Sequence, residues 1–215
     1  MRFGNDSLWI ERLEVGPIGT NCYIVTNVKD RVTMVVDPGG SYSRIKKYLN
    51  EVKAEINSRV VLLVNTHGHW DHIYHNADIL RDYPEAKLYI HRADAPMLAK
   101  DYTRMIESVE PTEPDGWLED GASLMLGTME IQVFHTPGHS QGGVCLLLEN
   151  QYLLSGDTLF KGSVGRTDFP GGSFQQIIDS IRVKLLPLGD DVVVLPGHGP
   201  SSTIGEEKKT NMFLQ

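Results

Sequence analysis

Three imidazoles and a carboxylate stand within six positions in His67-Gly68-His69-Trp70-Asp71-His72. Donors so concentrated are costly to fold around unless a cation binds them, and a glycine spacer lets backbone approach a crowded centre. Further donors lie far along the chain. They are His139 in Thr136-Pro137-Gly138-His139-Ser140, Asp157 in Ser155-Gly156-Asp157-Thr158, and His198 in Pro196-Gly197-His198-Gly199-Pro200. Five imidazoles and two carboxylates are too many for one tetrahedral ion, and they suit two divalent ions that share a carboxylate and a water. Imidazole selects zinc, iron, copper or nickel over magnesium or calcium, while the carboxylates keep manganese open. Zinc is the first expectation, with iron or manganese as alternatives. A water held between two cations loses a proton near neutral pH, so the chemistry expected is attack by a metal-bridging hydroxide on a polarised carbonyl.

Each donor group follows an apolar run that reads as a strand. Val60 to Val64 precedes the histidine cluster, Glu130 to Phe134 precedes His139, Tyr152 to Leu154 precedes Asp157, and Val192 to Leu195 precedes His198. Ligands of open α/β layers gather beyond the carboxyl ends of strands, which makes this recurrence the main pointer to the site. Val60 to Val64 is continuous and rich in β-branched residues, as suits a strand buried on both faces.

Upstream, Leu8 to Val15, Cys22 to Thr26 and Val32 to Val36 read as an antiparallel meander stopped by Asp37-Pro38-Gly39-Gly40. Ser41 is expected to cap a helix with Ile45, Leu49 and Val52 on one face. Beyond the cluster, Ile73, Ala77 and Leu80 keep helical spacing up to Tyr83-Pro84, so Asp71 and His72 belong at a helix start. Lys87 to His91 reads as a strand and Arg92 to Lys100 as a helix. The pattern breaks between Asp101 and Asp120, where two prolines and seven acids fall. That stretch is either a loop over the site or a solvated connection, and it divides a single domain, 1–215, into two pseudo-symmetric halves. In the second half, Ala122 to Leu126 and Val144 to Leu148 complete the strands. Ser173 with Gln176, and Thr203 with Glu206, have capping-box spacing, and Phe174, Ile177, Ile178, Ile181 and Leu185 supply an apolar stripe.

The 215 residues, 40% hydrophobic and 22% charged, are those of a globular chain able to bury a sizeable core. The formal charge of −8, with no basic stretch longer than the Lys208-Lys209 pair, disfavours nucleic acid as a partner and leaves a small molecule. Cys22 and Cys145, each inside an apolar run, read as buried reduced thiols. The N-terminus carries Asp6 where a signal peptide needs an apolar run, and no stretch reaches the roughly 18 apolar residues of a membrane span. A cytoplasmic location is therefore expected, with no membrane partner; oligomeric state is not readable.

H-x-H-x-D-H, T-P-G-H-S, G-D-T, G-R-T-D and P-G-H-G, in this order, resemble the metallo-β-lactamase-fold hydrolases over nearly the whole chain, and most closely the small glyoxalase II-like branch. The resemblance implies an α/β fold, a four-layer αβ/βα sandwich with the metal site at the edge between two β-sheets. It assigns His67, His69 and His139 to one metal and Asp71, His72 and His198 to the other, with Asp157 bridging. Asp71 and Asp157 become the catalytic carboxylates. Asp168, in Gly165-Arg166-Thr167-Asp168, is implied to accept the free N–H of a ligand histidine. The implied substrate is a thioester, S-acyl glutathione or another small thiol ester, as in the hydroxyacylglutathione hydrolases.

Two residues are substrate-binding candidates. Trp70 either walls the cleft or packs beneath its loop, and Arg166 either pairs locally or faces substrate. His75, His91 and His135 match no ligand position and read as satisfied or solvated. The long glyoxalase II enzymes bind glutathione through a C-terminal helical extension. Here the residues after His198 run from Gly199 to Gln215, so glutathione recognition is not carried over. Thr210-Asn211-Met212-Phe213 resembles the usual ending of the small branch, with Met212 where proline is common.

Competing functions share much of the donor set. A mononuclear iron enzyme resembling persulfide dioxygenases is the first alternative, and a hydrolase of another ester or lactone class the next. A true β-lactamase is disfavoured because Asp157 stands where the common zinc lactamases place cysteine or serine. A flavodiiron module is disfavoured because His69 stands where that branch uses glutamate, and a tRNA-processing nuclease by the acidic balance. A metal-stabilised binding module without catalysis would be expected to lose some donors, whereas all seven positions are filled.

Overall fold

A computed structural model describes residues 2–100 and 109–215 of the chain. The first half opens with β1 (Arg2–Gly4), β2 (Leu8–Val15), β3 (Thr20–Asn27) and β4 (Val32–Val36), joined by short turns and paired antiparallel. It continues as β5 (Arg59–Val64), β6 (Lys87–Ile90) and β7 (Gly116–Trp117), each added parallel to its predecessor from β4 onward. Parallel neighbours need long crossovers. The first contains α1 (Tyr42–Ile56), and the second contains α2 (Trp70–Ile73) and α3 (Asn76–Asp82). The seven strands lie side by side in chain order.

The second half forms a six-stranded sheet from β8 (Ser123–Leu126), β9 (Met129–His135), β10 (Val144–Leu148) and β11 (Tyr152–Gly156), with β14 (Val193–Pro196) and β15 (Ser202–Thr203) beyond β11. The connection from β11 to β14 holds a small hairpin, β12 (Leu159–Phe160) and β13 (Ser163–Val164), and then α4 (Phe174–Ser180), which continues into a π turn at Ile181–Leu185. α5 (Ile204–Thr210) follows β15.

Side-chain alternation along the strands builds four layers. Tyr23 and Val25 of β3, and Val144, Leu146 and Leu148 of β10, meet in a core between the two sheets. Their alternates face outward. Cys22 and Ile24 pack with Ile45 and Leu49 of α1, and Cys145 and Leu147 pack with Ile177 and Ile178 of α4. The helix–sheet–sheet–helix sandwich is the one the motifs imply. Both cysteines are free and buried, on opposite outer faces. Among the described residues no helix is long and apolar enough to cross a membrane.

Several local expectations are corrected. Ser41 precedes α1 in a left-handed conformation and does not cap it; its Oγ accepts from the Gly16 amide instead. The helix expected from Ile73 to Leu80 is broken, because the His75 amide turns to the Pro38 carbonyl at 2.9 Å. The restarted helix buries Asn76 and Ile79 in place of Ala77 and Leu80. Arg92 to Lys100 shrinks to a 3-10 turn at Ala95–Ala99 with Pro96 near its start. Phe174, expected in the apolar stripe, is 52% exposed. Of the acidic stretch between the halves, residues 101–108 lie outside the described residues, while Val109 and Leu118 are buried.

Candidate metal centre

The carboxyl ends of β5, β9, β11 and β14 converge, and the loops leaving them carry the donors. His67, His69 and His139 form one group of possible ligand atoms, and Asp71, His72 and His198 form another. In the first group His69 Nδ1 stands 2.8 Å from His139 Nε2. In the second, Asp71 Oδ2 lies 3.3 Å from His72 Nε2 and 3.2 Å from His198 Nε2. Asp157 spans both groups. One oxygen is 3.5 Å from His72 Nε2, and the other is 3.5 Å from His139 Nε2 and 3.6 Å from His198 Nε2.

Buried polar atoms are nearly always partnered, so exceptions point to a missing ligand. His67 Nε2, His72 Nε2 and Asp157 Oδ1 are buried without a hydrogen-bond partner. These are three of the atoms that face the centre, and a cation would satisfy them. The donor set fits divalent metal.

The Nδ1 atoms of His67, His72 and His139 are held from behind. Asp37, fully buried at the end of β4, accepts from His72 Nδ1 at 2.9 Å. The same carboxylate accepts from the Thr66 amide at 2.8 Å and from Thr66 Oγ1 at 2.6 Å, and Thr66 Oγ1 in turn is 3.1 Å from His67 Nδ1. His139 Nδ1 donates to the Arg166 carbonyl at 2.7 Å, and Thr20 Oγ1 donates to Asp71 Oδ2 at 2.9 Å. Asp37 also gathers with His67 and His72 as a third donor group, but its oxygens are already engaged by Thr66 and His72. Such backing fixes tautomer and ring orientation.

Asp168 does not take the role expected of it. Its carboxylate is exposed and takes two hydrogen bonds from Arg166, at 2.7 and 2.6 Å, while the His139 Nδ1–H goes to the backbone carbonyl of Arg166. Asp37 fills the orienting role that sequence reasoning gave elsewhere. It follows a strand and opens a loop that contains Gly39 and Gly40, the same signal that found the other donors.

β3 fastens the last donor loop. The Asn21 amide donates to the Gly197 carbonyl at 2.7 Å, Asn21 Nδ2 reaches the carbonyls of Pro196 and Gly199, and the Tyr23 hydroxyl donates to Pro196. Gly197 is needed for close approach, because a Cβ there would fall on Asp157 Oδ1.

The two groups differ electrostatically. Burial holds His67 well below the usual imidazole range, reinforced by the neighbouring histidines, and burial beside His139 lowers His69 to about 3. His72 and His198 move the other way. Burial works against their protonation, but Asp71 and Asp157 around both, and Asp37 beside His72, overcome it and raise them. Burial alone would raise Asp71, yet His72 and His198 keep it well below the usual carboxylate range. His67 and His69 therefore offer neutral lone pairs, whereas His72 and His198 exchange protons for a cation.

The donors floor a cavity of about 440 Å³ walled by Ile18, Trp70, Phe160, Val164 and Phe169. Trp70 does both things considered for it, since it packs in the outer core with only 8% exposure and still borders the cavity. Arg166 pairs with Asp168, and its guanidinium covers Phe169 at 4.0 Å on the cavity wall. The wall hairpin β12–β13 is anchored by α5. Buried Glu207 accepts from the Gly162 amide at 2.9 Å, and Asn211 Nδ2 donates to the Ser163 carbonyl at 3.0 Å. His75, His91 and His135 stay outside the donor groups. His75 pairs with Asp78, and His91 stacks on His135 with centroids 3.9 Å apart.

Comparisons with known proteins agree with this geometry. The metallo-beta-lactamase superfamily matches residues 15–198. The chain is 33% identical over 212 residues to hydroxyacylglutathione hydrolase GloC of Haemophilus influenzae, covering 95% of this chain and 97% of that one. It is 35% identical over 210 residues to the probable metallo-hydrolase YqgX of Bacillus subtilis, covering 94% and 96%. Among solved structures, the BLEG-1 B3 metallo-beta-lactamase is similar with a TM-score of 0.86, 34% identity and coverage of 96% and 99%. TTHA1623 in a di-iron-bound form is similar with a TM-score of 0.80, 31% identity and coverage of 95% and 100%.

Proposed function

This chain belongs to the metallo-beta-lactamase superfamily, and from that membership we propose that it is a metal-dependent hydrolase of a small thioester. The observation that carries the reading is the pair of three-donor groups joined by Asp157, with unpartnered nitrogens, beneath an apolar cavity. The relative named as a hydroxyacylglutathione hydrolase supports an S-acyl thiol as substrate.

His67, His69 and His139 would hold one ion, Asp71, His72 and His198 the other, and Asp157 would serve both. Two divalent ions there, zinc first and iron or manganese as alternatives, would supply an acidified water as nucleophile and a Lewis acid for the carbonyl oxygen. Asp71, held by Thr20, would orient the attacking water. Phe160, Val164 and Phe169 exclude bulk solvent and seat the apolar part of the substrate, which strengthens each electrostatic contact at the carbonyl. Asp37 and the Arg166 carbonyl keep His72 and His139 from turning as charge develops.

The test is an assay of the zinc-, iron- or manganese-loaded chain on S-acyl glutathione, other small thioesters, lactones, phosphodiesters and a β-lactam, with metal content measured in parallel. The expected result is thioester cleavage with two ions per chain, abolished by a chelator and restored by metal. One iron per chain, with oxygen uptake on glutathione persulfide and no thioester cleavage, would sink the hydrolase reading. Turnover of the β-lactam in preference to every thioester would sink the substrate assignment alone.

A further inference from the structure

A buried carboxylate outside both donor groups grips the two loops that bring the three histidines together. Asp94 is fully buried and stands just before the 3-10 turn Ala95–Ala99. Its Oδ2 accepts from the amide of Gly68, between His67 and His69, at 3.0 Å. Its Oδ1 accepts from the amide of Gly142, in the loop that carries His139, at 2.6 Å. One loop leaves β5 in the first sheet, and the other joins β9 to β10 in the second. A single side chain thus spans the junction of the sheets at the three-histidine group.

Steric fit supports the same conclusion independently of the hydrogen bonds. A Cβ on Gly142 would lie 2.7 Å from Asp94 Cγ and 2.8 Å from its Cβ, so the loop backbone rests directly on the carboxylate. Amides donated to a carboxylate make short, strong bonds, and here they are shielded from water. The second donor group is supported elsewhere, by Asp37 behind His72, Thr20 behind Asp71 and Asn21 beneath the His198 loop.

We propose that Asp94 is a positioning residue specific to the His67, His69 and His139 group, fixing the distance between the two loops and so the geometry of one of the two metal sites. The inference rests on the two-ion reading above. Asp94 acts through the backbone, by the amides of Gly68 and Gly142.

Asp94→Asn tests it, because the amide keeps the volume but sets an NH2 against one of the two glycine amides and breaks one bond. In the metal-free chain, hydrogen exchange at Gly68 or Gly142 should speed at least about tenfold, while the amides of β10 stay as protected as in the wild type. On titration with zinc, the wild type should take two ions. Asp94→Asn should bind one with unchanged affinity and the other about 10- to 100-fold more weakly. Added to His139→Ala, the substitution should leave the remaining ion unaffected. Gly142→Ala, which presses on the same contact from the other side, should reproduce the selective loss if Asp94→Asn folds poorly. Unchanged zinc binding, or equal weakening of both ions, would overturn the proposal. A wild-type chain that takes no zinc would overturn the two-ion reading itself, a result the exchange measurement separates from failure of the clamp.

Discussion

Asp37 shows how one buried carboxylate can organise several donors at once. It holds Thr66 through two bonds and His72 through a third, and Thr66 adjoins His67. Asp37→Asn should weaken metal binding about 10- to 100-fold, read by competition with a chromophoric chelator; unaltered affinity would remove Asp37 from the site. The pKa directions add a pH prediction. His72 and His198 are raised, so in the metal-free chain they retain protons that an ion must displace, and lowering the pH strengthens that competition. His69, lowered to about 3, stays neutral through the same range. Zinc uptake at neutral pH should therefore release protons, and stepwise acidification should strip the ion of Asp71, His72 and His198 first. Simultaneous loss of both ions in dialysis at stepped pH would contradict this. The seven candidate donors were legible in the sequence because each of the four loops that carry them follows an apolar run and contains glycine. Asp168 misled because a carboxylate two positions from an arginine in an exposed turn pairs with it first. Asp94 left no signal, since it lies inside a run that reads as helix.

At the scale of elements, runs of apolar and β-branched residues marked the long strands, whereas β1, β7, β12, β13 and β15 are two or three residues long and have no periodicity to read. Helix starts were legible where a hydroxyl met its capping partner. Thr203 Oγ1 accepts from the Glu206 amide at 3.1 Å, and Ser173 Oγ accepts from the Gln176 amide at 3.4 Å. Thr203→Ala should cost about 1 kcal/mol of stability and Ser173→Ala less, because the longer bond is the weaker. Urea denaturation measures both, and a larger loss at Ser173 would reverse the ranking. Ser41 failed as a cap because its backbone is left-handed, a conformation set by the turn that delivers Asp37.

Across the whole molecule, stability rests on the core between the sheets. Leu146 lies in the middle of β10, paired with Val133 and Leu154 and fully buried. Leu146→Ala should cost about 2–5 kcal/mol, seen as a lowered denaturation midpoint; a loss under about 1 kcal/mol would mean the sheets close over the gap. The helix–sheet–sheet–helix order was legible from the motifs, while which strand edges touch across the junction was not, because such contacts join residues remote in sequence. The bond from Asn21 to the Gly199 carbonyl is one such contact, closing 178 positions of chain. It belongs to the kinetics of folding as much as to the centre it steadies. Closing so long a loop is slow relative to local pairing, so the His198 loop docks late. Until it docks, the second donor group is incomplete, whereas His67, His69 and His139 all precede the last two strands. Full metal loading is thus a signature of finished assembly, and the ratio of ions to chains in a refolding time course would report the slowest step of folding rather than an average over its stages.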